Sequence, residues 1–242
     1  MNVRVNSNYE EMSRAAADFI ANHIRNNPSA LLCLTSGDTP TGTFKCLADD
    51  VNTGKLNVTQ CTFVGLDEWG GLNQNNQGSC RHYMDHHLFS PLNIQPDKIQ
   101  FFDGASDDLN EECRRINEFI SRKGPIDLML LGLGLNGHLG MNEPGVDFNL
   151  ESHIAKLAEK TKETAQKYFE NEVTLEYGLT LGLRQIFESK IAILIASGSK
   201  KAAVLAQTLE GEVSNTIPAS ILQQHPDAYA FIDGDAASLL SA

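Results

Sequence analysis

The sequence predicts an α/β fold in which helices cover both faces of a parallel sheet. Short apolar runs alternate along the chain with segments that carry apolar residues at helical spacing. The runs at residues 126–133 and 191–196 are almost continuously apolar, which is typical of strands buried on both faces. A strand followed by a helix, repeated along the chain, favours parallel pairing because each helix returns the chain to the start of the next strand.

The predicted elements follow in order from the N-terminus. Ser7 or Asn8 is placed to cap the first helix. No internal repeat or flexible linker divides the chain, so we expect one domain over residues 1–242. The polar, helix-prone segment 153–176 is expected to cover a ligand site. The predicted strands span residues 30–34, 60–66, 126–133, 191–196 and 229–233, and the predicted helices span 12–26, 41–51, 77–89, 110–122 and 200–210.

Composition restricts the classes of partner. The 242 residues carry a net charge of −12 with no block of like charges, so nucleic acid and an anionic membrane are not expected as partners. No apolar run is long enough to span a membrane, and the N-terminal segment lacks the apolar core of a signal peptide. The five scattered cysteines indicate reduced, mostly buried thiols in a cytoplasmic protein, and the composition is compatible with a homo-oligomer.

The most informative segment spans residues 131–145, LGLGLNGHLGMNEPG, directly after an apolar strand. Loops at the carboxyl ends of strands hold the ligand in open α/β sheets. The first part matches GxGxxG, but the Pro-Gly pair at the end would interrupt the helix that dinucleotide binding requires, so no nucleotide cofactor is expected. The glycines instead let backbone approach a small ligand, and His138 and Glu143, with Asn136 nearby, are candidates for proton transfer.

A second strand-end segment covers residues 35–40, TSGDTP, and precedes a predicted helix. Small residues with free N–H groups at a helix N-terminus favour an anion. Ser36, Gly37, Asp38 and Thr39 are therefore candidates for an anion site. The alternative is an ordinary strand-to-helix turn capped by Asp38 or Thr39.

Two adjacent carboxylates, Asp67 and Glu68, follow the predicted strand 60–66 and precede Trp69, the only tryptophan. Apolar neighbours desolvate a carboxylate and raise its pKa toward the range useful for a general base. The alternative is a loop in which both acids face water.

Two further segments carry lysines or imidazoles. Residues 197–202, SGSKKA, place Lys201 in a glycine-containing loop at a helix start, which suits a phosphate dianion; two solvated lysines are the alternative.

His82 and His86 could share a helical face, but no third ligand lies on that face, so we expect a solvated or partly packed helix and no metal.

In this order the segments resemble those of the glucosamine-6-phosphate deaminase family and its galactosamine-6-phosphate relatives. LDE at 66–68, NGHLGMNEPG at 136–145 and GSKKA at 198–202 carry the resemblance, which covers nearly the whole chain. It implies a three-layer sandwich with a mostly parallel, Rossmann-like sheet. It also implies isomerising deamination of an amino-sugar phosphate without metal or nucleotide cofactor.

The resemblance implies a role for each candidate residue. Asp67 would move a proton between C2 and C1 of the opened sugar, and His138 would open the ring. Glu143 would orient His138, with help from Asn136. The implied phosphate site comprises Ser36, Gly37, Asp38, Thr39, Lys201 and Lys167.

Some positions depart from the family pattern. Lys167 stands where members commonly carry arginine, and Asp38 where many carry glycine or serine. The places of the basic residues that bind an allosteric amino-sugar phosphate hold His153 and Ala155, so we expect no such regulation. LDEW at residues 66–69 favours the galactosamine-6-phosphate branch.

Two other functions remain as alternatives. A 6-phosphogluconolactonase has a similar glycine-rich loop, but it lacks the Asn-Glu-Pro continuation at residues 142–144 and needs no base at Asp67. A sugar-phosphate sensor would bind without turnover and would not need Asp67, His138 and Glu143 together. The sequence therefore favours a deaminase.

Overall fold

The molecule is built on two sheets. A computed structural model describes residues 1–241. The strands are β1 (Asn2–Asn6), β2 (Leu31–Leu34), β3 (Thr62–Val64), β4 (Asp67–Trp69), β5 (Ile99–Gln100), β6 (Leu128–Gly132), β7 (His153–Lys156), β8 (Tyr177–Thr180), β9 (Ala192–Ala196) and β10 (Ala228–Asp233). The main sheet has seven strands in the order β1-β10-β9-β6-β2-β3-β5. Every neighbouring pair in it is parallel.

Helices cover both faces of the main sheet, as predicted. The α-helices are α1 (Tyr9–Asn26), α2 (Asp38–Asn52), α3 (Cys80–Met84), α4 (Leu109–Lys123), α5 (Glu159–Ala165), α6 (Leu183–Phe187) and α7 (Ala202–Glu210). Along β2, Leu32 and Leu34 pack with α1 and α2, whereas Leu31 and Cys33 belong to the opposite hydrophobic cluster with α4 and α7. Because both sides of each central strand are buried, the strands are apolar at successive residues. The fold is a three-layer α/β sandwich.

The order of the strands reverses between β2 and β6. From β2 the chain adds β3 and then β5 on one side, whereas β6, β9 and β10 extend the sheet on the other side. The loops after β2 and β6 therefore leave the sheet beside each other in opposite directions, which opens a crevice at their carboxyl ends. The N–H of Thr35 still donates to the carbonyl of Leu130 at 3.0 Å, so both loops begin at the same level.

The second sheet has three antiparallel strands in the order β4-β8-β7. The alternative of a water-facing loop at Asp67 and Glu68 does not hold, because residues 67–69 form β4 and are buried. The segment 153–176 was interpreted as helix-prone, but it begins with a strand, β7, before α5 follows. Both strands are short, and each is held by pairing with β8, which is distant in sequence.

The other predicted elements are present with shifted ends. Asn8 rather than Ser7 caps α1, since its side chain accepts the N–H of Glu11 at 2.8 Å. The predicted helix 77–89 begins only at Cys80 and passes into a π-helix over Asp85–Phe89. Polar β1 was not predicted, because it lies exposed at the sheet edge.

Two further expectations concern the chain as a whole. The cysteines are free, and all except the half-buried Cys46 are buried. Within residues 1–241, no helix combines the length and apolar character needed to cross a membrane.

Candidate active site

A cavity of about 240 Å³ lies at the carboxyl ends of β2 and β6. The loop after β2 lines it through Ser36, Gly37, Asp38 and Thr39, as do Asp67, Asn136, His138, Lys167 and Lys201. All predicted site residues except Glu143 therefore face one space. The cavity lies where a ligand is expected at the reversal of strand order.

Asp67 lies at the start of β4, where it pairs with Thr180 of β8. Its side chain lines the cavity although the residue is only 8 % exposed. Burial raises its pKa to about 6, while the charge of His138 and a hydrogen bond from the Cys80 thiol act in the opposite direction. The desolvation predicted from its neighbours is thus present, and the position suits a general base.

Glu68 points away from the cavity because neighbouring residues of a strand face opposite sides. It is fully buried, and it accepts the N–H groups of Trp69 at 2.8 Å, Cys80 at 2.9 Å and Arg81 at 2.9 Å. Burial raises its pKa to about 8 against the effect of these donors. Glu68 therefore fixes the start of α3, and with it the Cys80 thiol that contacts Asp67.

His138 lies in the loop after β6, opposite Asp67. A Cβ atom on Gly134 would overlap the imidazole ring, so glycine at this position allows the ring to lie against the backbone. Nδ1 faces two oxygens, Thr161 Oγ1 at 3.3 Å and Glu143 Oε2 at 3.4 Å. The Cδ2–Nε2 edge of the ring lies beside Gly134, and both residues line the cavity.

Glu143 lies behind His138 and accepts hydrogen bonds from several donors. Its carboxylate accepts the side-chain amide of Asn136 at 2.7 Å and the N–H of Ala158 at 3.3 Å. Burial alone would raise its pKa, but the hydrogen bond and charge of His138, with the Thr161 hydroxyl and Asn136 amide, hold it at about 2. Glu143 is therefore an anion across the working pH range and can orient the imidazole.

The loop after β2 forms another part of the cavity wall. Gly37 has φ +114°, a conformation that favours glycine, and it caps α2, which begins at Asp38. Ser36 and Thr39 flank this turn and line the cavity. The first backbone N–H groups of a 15-residue helix thus lie at the cavity wall, an arrangement that favours an anion.

Lys201 approaches the same cavity from the loop after β9. Its Nζ donates to the carbonyl of Leu133 at 2.5 Å. Burial, and then the nearby charge of Lys167, lower its pKa to about 8. Two lysines that repel each other beside helix N–H groups are favourable partners for a dianion.

Lys167 and Asp38 form an ion pair at the cavity mouth, with 2.5 Å between Nζ and Oδ2. Both side chains are well exposed, at 49 % and 64 %. The carboxylate of Asp38 would repel a phosphate. It pairs with Lys167, whose charge a bound phosphate would also attract.

Sequence reasoning missed three residues of this region. Thr161 on α5 and Cys80 on α3 gave no signal, because each is an ordinary residue of a helical segment. Asp233 accepts the N–H of Gly198 at 3.0 Å and the Ser197 hydroxyl, which holds the loop that carries Lys201. It ends strand β10, and attention to polar residues at strand ends could have found it.

The imidazoles of α3 and of the π-helix that follows it are not part of this site. His82 and His86 are exposed. Among residues 1–241, no group of three His, Cys, Asp or Glu side chains is arranged to hold a metal ion.

Comparison with known proteins assigns the chain to a family. Residues 7–230 match the family model of glucosamine-6-phosphate isomerases and 6-phosphogluconolactonases. A glucosamine-6-phosphate deaminase of Geobacillus sp. (strain WCH70) is 39 % identical over 97 % of this chain and 94 % of the relative. One of Clostridium botulinum (strain Langeland) is 39 % identical over 99 % of both chains.

Solved structures agree with this assignment. A monomeric glucosamine-6-phosphate deaminase superposes with a TM-score of 0.96, at 38 % identity over 99 % of this chain and 100 % of the other. A 6-phosphogluconolactonase of Trypanosoma brucei, 19 % identical over 99 % of this chain and 98 % of its own, shares the fold with a TM-score of 0.77. This protein belongs to the family of glucosamine-6-phosphate isomerases and 6-phosphogluconolactonases.

Proposed function

We propose that this protein catalyses the isomerising deamination of a 2-amino-2-deoxyhexose 6-phosphate to the 2-keto sugar phosphate and ammonia. The observation that carries the proposal is that Asp67, His138 and Lys201 line one cavity. The reaction needs a carbon base, a group that opens the ring and a cation for the phosphate. The names of the deaminase relatives support the same chemistry.

Ring opening is the first step. His138 takes the proton of the O1 hydroxyl as the bond between C1 and the ring oxygen breaks, and a proton is returned to that oxygen. An imidazole suits this exchange because it can accept and donate near neutral pH. Glu143 and Asn136 hold the imidazole through the contacts behind it.

Proton transfer between carbons follows. Asp67 removes the C2 proton to give an enolamine and delivers a proton to C1, which leaves an imine at C2. Water hydrolyses the imine and ammonia departs. The raised pKa of Asp67, about 6, makes its carboxylate a stronger base than an exposed aspartate.

The phosphate holds C1 and C2 in register with these groups. Ser36, Gly37 and Thr39 offer the α2 N-terminus, and Lys201 and Lys167 add positive charge. Asp38 modulates this end through its ion pair with Lys167. Binding energy from a part of the substrate that does not react can thereby be used to position the part that does.

Ammonia release distinguishes the functions. The purified protein is incubated with glucosamine 6-phosphate, galactosamine 6-phosphate and 6-phosphogluconolactone in parallel. We expect ammonia from at least one amino sugar and no accelerated lactone hydrolysis. Lactone hydrolysis without ammonia would establish a lactonase, and thermal stabilisation by a sugar phosphate without any product would establish a sensor.

The same assay measures which of the two amino-sugar phosphates reacts faster. The deaminase relatives are named for glucosamine 6-phosphate, whereas LDEW at residues 66–69 favours galactosamine 6-phosphate, so the preference stays a prediction that the paired rates decide. A single hydrogen bond to the C4 hydroxyl would separate the two sugars by about 1–3 kcal/mol. We further propose a cytoplasmic enzyme of one domain that uses no cofactor.

A further inference from the structure

The buried hydroxyl of Thr161 lies between the cover helix α5 and the imidazole of His138. Thr161 Oγ1 is 3.3 Å from His138 Nδ1, and the Glu143 carboxylate faces the same nitrogen. Thr161 is only 7 % exposed, so water does not readily replace it. A threonine hydroxyl has one proton to donate and lone pairs to accept with.

The direction of these hydrogen bonds follows from Glu143. The carboxylate can only accept, so Nδ1, the ring nitrogen that faces it, must carry the ring proton. The same Nδ1–H then has the Thr161 oxygen as its nearer acceptor, at 3.3 Å. Glu143 Oε2 lies slightly farther from Nδ1, at 3.4 Å, and already accepts the Asn136 amide at 2.7 Å.

We propose that Thr161 is a positioning residue that, together with Glu143, accepts the Nδ1–H of His138, keeps the ring proton on Nδ1 and leaves Nε2 free to accept a proton in the cavity. The inference extends the proposed function, because it assigns what sets the tautomer of the ring-opening group. It also ties the imidazole to α5, since the N–H of Ala158, which caps α5, donates to the same carboxylate at 3.3 Å.

The test combines Thr161→Val, which removes the hydroxyl at nearly constant volume, with Thr161→Ser, which retains it. Nitrogen-15 spectra of histidine-labelled enzyme report which ring nitrogen carries the proton, and His138→Gln assigns the signal. In the unmodified enzyme we expect Nδ1 to be protonated and Nε2 bare in the neutral ring. In Thr161→Val we expect a substantial Nε2–H population, which Thr161→Ser reverses.

Kinetics provide a second readout. Thr161→Val should lower kcat by about tenfold while KM changes less than threefold, and Thr161→Ser should restore most of the rate. Thr208→Val is the matched control, because Thr208 is a buried helical threonine whose hydroxyl bonds the Val204 carbonyl within α7. That variant should leave both the rate and the His138 signal unchanged.

The two readouts separate failure of this inference from failure of the proposed function. The spectra need no turnover, so they test Thr161 even if no ammonia is released. An unchanged His138 tautomer in Thr161→Val overturns the inference. So does a loss of rate that Thr161→Ser does not reverse, because it would show a packing role instead.

Discussion

Asp67 and Asp38 line the same cavity, yet their surroundings give them opposite properties. Asp67 is 8 % exposed on a strand of the small sheet, and burial raises its pKa to about 6. The side chain of Asp38 is 64 % exposed at the start of α2 and pairs with Lys167. One carboxylate is thus poised to take up a proton, whereas the other is an exposed partner in an ion pair.

The difference separates two sets of side chains around the cavity, one buried and one exposed to solvent. Groups at the end with Asp67 and His138 are buried and held by several hydrogen bonds, so replacing one changes a reacting group. The exposed ion pair of Asp38 and Lys167 is screened by solvent, so replacing Asp38 changes affinity by a modest amount, whereas the half-buried Lys201 lies between these extremes. The following predictions test this division between the buried and the exposed end.

Asp67→Asn should have the largest effect, a loss of about 10²–10⁴-fold in kcat, because the amide cannot accept the C2 proton. Substrate incubated in deuterated water should gain no deuterium at C2 with this variant, as proton NMR will show. Continued exchange at C2 would remove Asp67 from the role of base.

The same substitution should stabilise the folded protein above pH 6. A carboxylate whose pKa is raised in the folded state contributes stability below its unfolded value of 3.8, and this contribution is lost as pH rises through about 6. A shift of about two units corresponds to about 3 kcal/mol. Urea unfolding at pH 5 and pH 8 measures the difference in the free energy of unfolding between Asp67→Asn and the unmodified protein. If this difference does not grow with pH, burial of the Asp67 carboxylate does not destabilise the folded protein as assigned.

Lys201→Met should raise KM by about 10- to 100-fold, since a charge-assisted hydrogen bond to a bound phosphate contributes roughly 1.5–3 kcal/mol. Steady-state kinetics measure it, and kcat should change less. Lys200→Met is the control, because Lys200 is the exposed neighbour that does not line the cavity. Equal effects of the two substitutions would show that only overall charge matters.

Asp38→Asn should have the smallest effect, and its sign is opposite. Removing an exposed ion-pair partner frees Lys167 for the phosphate, so KM and the Kd of inorganic phosphate should fall by about 1.5- to 5-fold. Asp49→Asn, an exposed aspartate on the same helix, is the control for net charge. Weaker phosphate binding in Asp38→Asn would mean that Asp38 orients Lys167 instead of competing with the phosphate.

The sequence predicted the strand ends of the main sheet well for a physical reason. Strands buried on both faces must be apolar at every residue, so a polar residue such as Thr35 or Ser197 directly after one of them marks the end of the sheet. Parallel pairing brings those ends to one edge. The grouping of Asp67, His138 and Lys201 around one cavity agrees with that reasoning.

Contacts that depend on packing between distant segments were not predictable. Lys167 and Asp38 are 129 positions apart, and nothing in either local pattern indicates the pair. Thr161 lies in a short polar helix whose composition suggests only a solvated surface. The strand β4 has three residues, too few for an alternating pattern, and it exists because β8 supplies its partner.

The small sheet carries two parts of the site on one support. Asp67 lies on β4, and β7 of the same sheet leads after two residues into α5, which bears Thr161. The loop after β2 and His138 instead follow strands of the large sheet. The position of Asp67 relative to both therefore depends on how the two sheets abut, for example where the Thr180 hydroxyl accepts the Met141 N–H at 3.2 Å. Repacking that seam would shift Asp67 relative to His138 and the loop after β2, which offers a route to retune the length of substrate that the cavity accepts.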